Sequence, residues 1–301
     1  MISVVCVYNN ERILKDALLK SLQNQTSKHE LILIDNTQGK FESAAGALNW
    51  GGDKAKGEYI MFVHQDVDLC SDSWLENVEE LLNSIPALGI AGVAGARSSN
   101  PPRMVQSVTN LKQGIPPKPL NVPGAVPLQK PEKVQTVDEC LVIIPRPVFD
   151  MLQFDEEVCD DWHLLYAVDY SLSVARLGLD AYAIPAFIHH WSPGKFNRNF
   201  LQVILSAGFF PAGYYRILGK LLKKHRSHTE RVYGTTGCWS TSYPMTLVRA
   251  KEVLRAVLYA PFGGVLWILG TIGIVSRPRN AYKRFLSAVK HLADSDAQNL
   301  D

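Results

Sequence analysis

Two carboxylates, Asp66 and Asp68, stand two residues apart in the segment His64-Gln65-Asp66-Val67-Asp68. Hard carboxylate oxygens at that spacing suit one Mg²⁺ or Mn²⁺, a cation able to neutralise a departing diphosphate. The same pair could be a solvated acidic turn, and position favours the metal. The segment follows directly on the apolar run Tyr-Ile-Met-Phe-Val at 59–63. Two further polar sets stand in the same relation to apolar runs: Tyr8-Asn9 after residues 3–8, and Asp35-Asn36 after residues 31–34. If the runs are strands of one parallel sheet, their polar ends converge, because ligands bind outside the carboxyl ends of such strands.

The rest of the first ninety residues supports that sheet. Ile13, Leu14, Leu18, Leu19 and Leu22 recur at helical spacing and predict a helix over 11–25, after the turn signal Asn9-Asn10. An Ala-rich stretch predicts a second helix over 44–56. A third is expected over 74–82, opened by Ser71 or Asp72, and 90–94 is a fourth apolar segment. Strand and helix therefore alternate, which predicts an α/β fold with a mostly parallel sheet and helices on both faces. Residues 97–135 are rich in Pro, Gly, Ser and Asn, and are expected to form a lid or binding loop. Strands are expected again at 137–144 and 182–188. A helix is expected at 171–177, closed by Gly178.

Composition narrows the class. A chain of 301 residues with 47% hydrophobic content can bury a core without staples. Its five cysteines (Cys6, Cys70, Cys140, Cys159, Cys238) form no CxxC pair, which argues against a zinc site or a disulfide framework and for a reducing compartment. Cys6 reads as a small core residue. The opening Met-Ile-Ser-Val-Val-Cys-Val reads as a strand rather than a signal peptide, so a cytoplasmic location is expected. Charge is asymmetric: residues 1–194 carry 15 Lys and Arg against 24 Asp and Glu, a balance of −9, and residues 195–301 carry 16 against 5, a balance of +11. An acidic head fits a metal-dependent site, and a basic tail fits an anionic partner.

Several ordered motifs resemble the family 2 glycosyltransferases and their GT-A relatives. Ser3-Val4-Val5-Cys6-Val7-Tyr8-Asn9-Asn10-Glu11 resembles the family's first strand and its Tyr-Asn-x-Glu. Ser21-Leu22-Gln23-Asn24-Gln25-Thr26, the strand ending in Asp35-Asn36, and the run Asn49, Gly51, Ala55, Gly57-Glu58-Tyr59-Ile60-Met61-Phe62 follow in the family's order. Where many relatives have Asp-x-Asp ending at the position of Asp66, this chain has His64-Gln65-Asp66, a variant of that motif. The resemblance covers about residues 1–195.

It implies a GT-A fold and a metal-dependent inverting transfer of a hexosyl or deoxyhexosyl group. The donor would be a nucleoside-diphosphate sugar, and the acceptor a glycan or lipid-linked molecule of cell-surface polysaccharide assembly. Implied for the donor are Tyr8, Asn9, Glu11, Asp35, Asn49, His64 and Gln65, with Tyr8 and Asp35 at the base. Implied for a divalent cation, Mg²⁺ or Mn²⁺, are Asp66 with Asp68, and one of His189 and His190 in His190-Trp191-Ser192-Pro193-Gly194. The resemblance favours Asp169 as the catalytic base, nine residues before Gly178; its rival is Asp161 of the pair Asp160-Asp161, whose spacing to Gly178 is too long. Inverting transfer needs such a carboxylate beside the acceptor hydroxyl. Read without the resemblance, Asp169 could equally cap the following helix.

The tail, residues 196–301, is expected to be a helical region attached to the membrane. Residues 256–275 hold no charge and match a bilayer core in length, yet they contain Pro261 and four glycines, and basic residues flank both ends. A re-entrant hairpin or interfacial helices keep those charges on one side. Lys220, Lys223, Lys224 and Arg226 beside Phe209-Phe210 and Tyr214-Tyr215 suit an anionic membrane surface, at the cytoplasmic face. Nucleic acid is not an expected partner, because no recognised binding module accompanies the charge. Two rival readings are a nucleotidyltransferase, which would need a Gly-rich loop after the first strand, and a non-catalytic glycosyltransferase-like scaffold that binds nucleotide.

Overall fold

The computed structural model describes residues 1–99, 105–117, 119–122, 124–162, 165–192 and 212–246. In chain order the first elements are β1 (Ile2–Tyr8), α1 (Glu11–Leu14), a π-helical turn (Lys15–Leu19), α2 (Lys20–Leu22), β2 (His29–Asp35), α3 (Ala44–Gly52), β3 (Tyr59–Val63), β4 (Val67–Asp68) and α4 (Trp74–Asn83). Next come β5 (Leu88–Gly92), β6 (Ala94–Ser98), β7 (Val105–Thr109), β8 (Lys112–Gln113), β9 (Leu120–Asn121), β10 (Glu132–Val134), β11 (Thr136–Val137) and β12 (Leu141–Pro145). The chain continues through α5 (Arg146–Met151), α6 (Tyr166–Arg176), β13 (Asp180–Ala183), β14 (His189–His190), α7 (Ala212–His225), β15 (Arg231–Gly234) and β16 (Gly237–Ser240).

A seven-stranded sheet in the order β10-β13-β5-β12-β3-β1-β2 forms the centre. β1 lies parallel between β2 and β3, so Tyr8 is level with Asp35 and both strands end on one edge. The expected parallel run is interrupted next to β3, where β12 enters antiparallel to both β3 and β5. Residues 137–144 are therefore not one strand. The chain bends at 138–140, between β11 and β12, beside the carboxyl end of β3.

Helices cover both faces of the sheet. Ile2, Val4 and Cys6 of β1, with Met61 and Val63 of β3, point to one side and pack with Leu14, Leu18, Leu22, Trp74, Leu75 and Val78 from the first helices and α4. This alternation is the period-two signature of a strand. On the other side α3 lies very close: a Cβ on Gly51 would sit 2.5 Å from Val5 Cγ1, and one on Gly52 would sit 2.3 Å from Phe149 Cζ. Two adjacent glycines let that helix settle on the sheet, although each costs about 1 kcal/mol in helix propensity. α6 covers β5 from the same side, its Val174 against Gly89. It starts five residues earlier than the periodicity predicts and ends at Gly178, whose φ of +77° is a left-handed terminus that glycine adopts freely.

The stretch expected to be an irregular lid carries short strands. β6 and β7 pair with each other, and β8 joins β14 and β9 in a small sheet with β4. All five cysteines are free. Cys6 is fully buried, and burial pushes its thiol well up.

Chain contacts define two units, Met1–Lys195 with Arg216–Ser242, and Phe196–Tyr215 with Tyr243–Asp301. Residues 216–242 thus belong with the first unit, and they include a β-hairpin, β15–β16, where the sequence predicts helix. The uncharged run 256–275 lies outside the described residues. Among the described residues no helix is long and apolar enough to cross a membrane.

Candidate active site

A cleft of about 370 Å³ opens at the carboxyl ends of β1 and β3. Tyr8, Asn9, Asn36, His64, Gln65 and Asp66 line it, with Ala44 and Leu48 of α3, Trp162 and Tyr166. The polar strand ends converge here because parallel strands in register deliver their termini to one edge.

Three potential ligands meet in it. One ring nitrogen each from His64 and His190 and an oxygen of Asp66 lie within 4.8 Å of one another. His190 Nε2 stands 3.3 Å from Asp66 Oδ1. The strands explain the meeting: β14 pairs antiparallel with β4, which sets His190 opposite Val67 and His189 opposite Asp68, and the Trp191 amide donates to the Asp66 carbonyl at 2.8 Å. Burial by itself would push the Asp66 carboxyl up. The hydrogen bond from His190 is the largest influence against it, and Asp66 is held below the ordinary carboxylate value. Two imidazoles and a carboxylate form a mixed N and O donor set that suits a divalent cation.

Asp68 and His189 are not in this cluster. Asp68 accepts from the Cys70 amide at 2.9 Å, closing a turn, and His189 Nε2 is 2.7 Å from the Gly114 carbonyl oxygen. Successive residues of a strand face opposite ways, so of two adjacent histidines only one turns toward Asp66.

His64 is held at two points. Its backbone N–H donates to the Cys140 carbonyl at 3.0 Å, and its Nε2 lies 3.2 Å from the Tyr166 hydroxyl. Gln65 ties the first strand end to the third. Its Oε1 accepts from the amides of Asn9 and Asn10 at 3.0 and 2.9 Å, and its Nε2 donates to Asn9 Oδ1 at 2.8 Å. Asn10 in turn caps α1, accepting from the Ile13 amide.

The remaining predicted donor residues divide between rim and interior. Asp35 is exposed at the rim. Its carboxyl is held below the ordinary value by the backbone N–H of Thr37, then by the Thr37 hydroxyl and the Tyr8 hydroxyl. Glu11 is exposed and pairs with Lys15 at 2.7 Å along the helix. Asn49 lies away from the cleft lining. It is buried and clamps the 154–156 segment, donating to the Phe154 carbonyl and Glu156 Oε1 at 2.9 Å and accepting from the Phe154 amide at 3.0 Å.

The two candidate bases have opposite surroundings. Asp169 is in the first turn of α6, inside the helix rather than at its cap, with 3% of its side chain exposed. Lys224 Nζ donates to one oxygen at 2.6 Å, and His225 Nε2 is 2.9 Å from the other. It does not line the cleft. Asp161 keeps 31% exposure; its Oδ2 pairs with Arg216 at 3.0 Å, its Oδ1 accepts from the Trp162 amide at 2.6 Å, and Trp162 forms part of the cleft wall. The indole N–H of Trp162 donates to the Phe41 carbonyl at 3.1 Å, which pins that wall to the start of α3.

Arg216, Lys220 and Lys224 repeat every four residues on α7 and so share one face. That face carries ion pairs to Asp160, Asp161, Asp155 and Asp169. Lys220 and Lys224, read from sequence as facing lipid, are thus engaged by carboxylates, while Lys223 and Arg226 are exposed. Sequence reasoning missed Tyr166 and Trp162 as cleft residues. Two aromatic residues between the two candidate bases, Asp161 and Asp169, were the available signal.

An α/β sheet with helices on both faces and a cleft at its parallel strand ends matches the fold of GT-A glycosyltransferases. A family model described as a glycosyltransferase-like family matches residues 3–202, and the chain belongs to that family. It is similar to a protein described as ATP synthase subunits region ORF 6 of Fuscovulum blasticum, with 26% identity over 215 residues, covering 65% of this chain and 78% of that one. Among solved structures it is similar to the mannosyltransferase PcManGT of Pyrobaculum calidifontis, in complex with GDP-Man and Mn²⁺. That likeness has a TM-score of 0.54 at 12% identity and covers 99% of this chain and 86% of that one; it speaks for the fold alone.

Proposed function

We propose that this glycosyltransferase is a metal-dependent inverting enzyme that moves a sugar from a nucleoside-diphosphate donor to a glycan or lipid-linked acceptor in cell-surface polysaccharide assembly. The observation that carries the reading is the meeting of His64, Asp66 and His190 at the strand ends, in the cleft walled by Tyr8. These residues fit a divalent cation: a carboxylate and an imidazole two residues apart, and a second imidazole from far along the chain, offer ligand atoms within 4.8 Å of one another.

When bound, such a cation supplies positive charge for the leaving diphosphate. The protein's own residues supply the rest. Tyr8 and Asp35 receive the base end of the donor, and Gln65 holds the turn that follows Tyr8. Asp161 takes the proton of the acceptor hydroxyl as its oxygen bonds to the anomeric carbon and the bond from that carbon to the diphosphate breaks. Asp161 is preferred to Asp169 because Asp169 is 3% exposed and away from the cleft, whereas Asp161 keeps 31% exposure beside the cleft-lining Trp162. A general base must reach the proton it abstracts.

The basic tail and the uncharged run 256–275 support attachment to the cytoplasmic face of an anionic membrane, where a lipid-linked acceptor would be presented. The test is a panel of nucleoside-diphosphate sugars incubated with the full chain and Mn²⁺ or Mg²⁺. Release of nucleoside diphosphate with at least one donor, suppressed by chelation, is the expected result. No release with any donor, or release indifferent to chelation, would contradict the reading.

A further inference from the structure

His64 can ligate a cation only through a ring nitrogen that carries a lone pair, so its tautomer decides whether it is a ligand. The surroundings of Tyr166 settle that tautomer. Tyr166 opens α6 and is 5% exposed, and its ring packs edge-on against Phe154 with centroids 5.4 Å apart. Its hydroxyl donates to the Glu139 carbonyl oxygen at 3.0 Å. A carbonyl can only accept, so the single phenolic proton is committed there. The same oxygen lies 3.2 Å from His64 Nε2 and must accept from it. His64 therefore carries its proton on Nε2, and the lone pair is on Nδ1.

We infer that Tyr166 is a positioning residue: it fixes His64 as the Nε2–H tautomer and so reserves Nδ1 for the cation. This deepens the proposed function and rests on its metal reading. The chain 138–140 supplies both anchors of His64. Cys140 takes its backbone N–H, and Glu139, through Tyr166, takes its ring N–H. That bend is itself secured, since Asp138 accepts from the Cys140 amide at 3.2 Å and from the Thr235 hydroxyl at 2.6 Å. A hydrogen bond to the ring nitrogen opposite the ligating one orients a metal-bound histidine, and its loss costs about 10–100-fold in metal affinity.

Tyr166→Phe removes one oxygen and keeps the packing. Metal-free full-length protein would be titrated with Mn²⁺, following free Mn²⁺ by electron paramagnetic resonance, for the parent chain, Tyr166→Phe and Asp66→Ala. The expected result is binding by the parent, affinity weaker by about 10-fold or more in Tyr166→Phe, and no binding in Asp66→Ala. Parent-like affinity in Tyr166→Phe, with binding lost in Asp66→Ala, would overturn this inference and leave the metal reading intact. Absence of binding in the parent would overturn the metal reading, and this inference with it. A second measurement needs no variant to fold: long-range ¹H–¹⁵N correlation of the His64 ring in the metal-free parent. An Nε2–H pattern supports the inference, and an Nδ1–H pattern overturns it.

Discussion

Asp66 and His190 stand 3.3 Å apart because β14, which carries His190, pairs antiparallel with β4, which begins at the residue after Asp66. The contact joins the third strand of the sheet to a segment more than a hundred residues later in the chain, so the ligand cluster exists only when the whole first unit is folded. His64 completes it from the same end of β3.

The two candidate bases separate by kinetics and stability. Asp161→Asn is expected to lower kcat by about 10²–10⁴-fold, with the donor KM and thermal stability nearly unchanged. Asp169→Asn should instead destabilise the fold by about 3 kcal/mol, since it takes the buried carboxylate away from the half-buried cation of Lys224. Steady-state kinetics and thermal unfolding on both variants check this. A folded Asp169→Asn that loses activity as severely as Asp161→Asn would reverse the assignment.

Gln65 acts as a strut between the ends of β1 and β3. Gln65→Ala removes three hydrogen bonds to Asn9 and Asn10 at the partly exposed cleft mouth. The expected cost is about 1 kcal/mol of stability, and a donor KM raised more than kcat is lowered, because the loop carrying Tyr8 loses its tie. Unchanged KM would show that the loop is held in place by other contacts.

Stability should depend on pH through the α7 ion pairs. Burial alone would push the Asp155 carboxyl up, but Lys224 and the amides of Val158 and Glu157 hold it below 3.8; burial would lower the Lys224 ammonium, but Asp169 and Asp155 hold it above 10.5. A depressed carboxyl contributes stability that is fully present above 3.8 and is lost as pH falls through its folded value. A raised ammonium contributes stability present below 10.5 that is lost as pH rises through its folded value. Thermal unfolding should therefore show a neutral plateau with an acid decline. Asp155→Asn should lower the plateau and flatten the decline between ~pH 5 and ~pH 2. An equally steep decline in the variant would count against the pairing.

Much of this site could be read from the sequence, for a physical reason. The ends of β1, β2 and β3 are local features: an apolar run, then polar residues, delivered to one edge by parallel pairing. That reasoning reaches Tyr8, Asp35, His64 and Asp66. It does not choose between His189 and His190, because the choice depends on which face β14 presents to β4. Nor does it separate Asp169 from the cleft, since the groups that seal Asp169 arrive from α7, a helix whose cations read equally well as facing lipid. Asn49 fell to the same limit: its partners, Phe154 and Glu156, follow more than a hundred residues later. The antiparallel entry of β12 was invisible for a related reason, since an apolar run carries no direction.

His64, Asp66 and His190 are proposed to hold one divalent cation on which transfer depends. The most direct measurement is a Mn²⁺ binding isotherm, with sugar-transfer activity recorded on the same samples, for the parent chain and for Asp66→Ala and His190→Ala. The account predicts one Mn²⁺ per parent chain, loss of both binding and transfer in Asp66→Ala, and weakened binding with matching loss of transfer in His190→Ala. A folded Asp66→Ala that transfers sugar at the parent rate would contradict it.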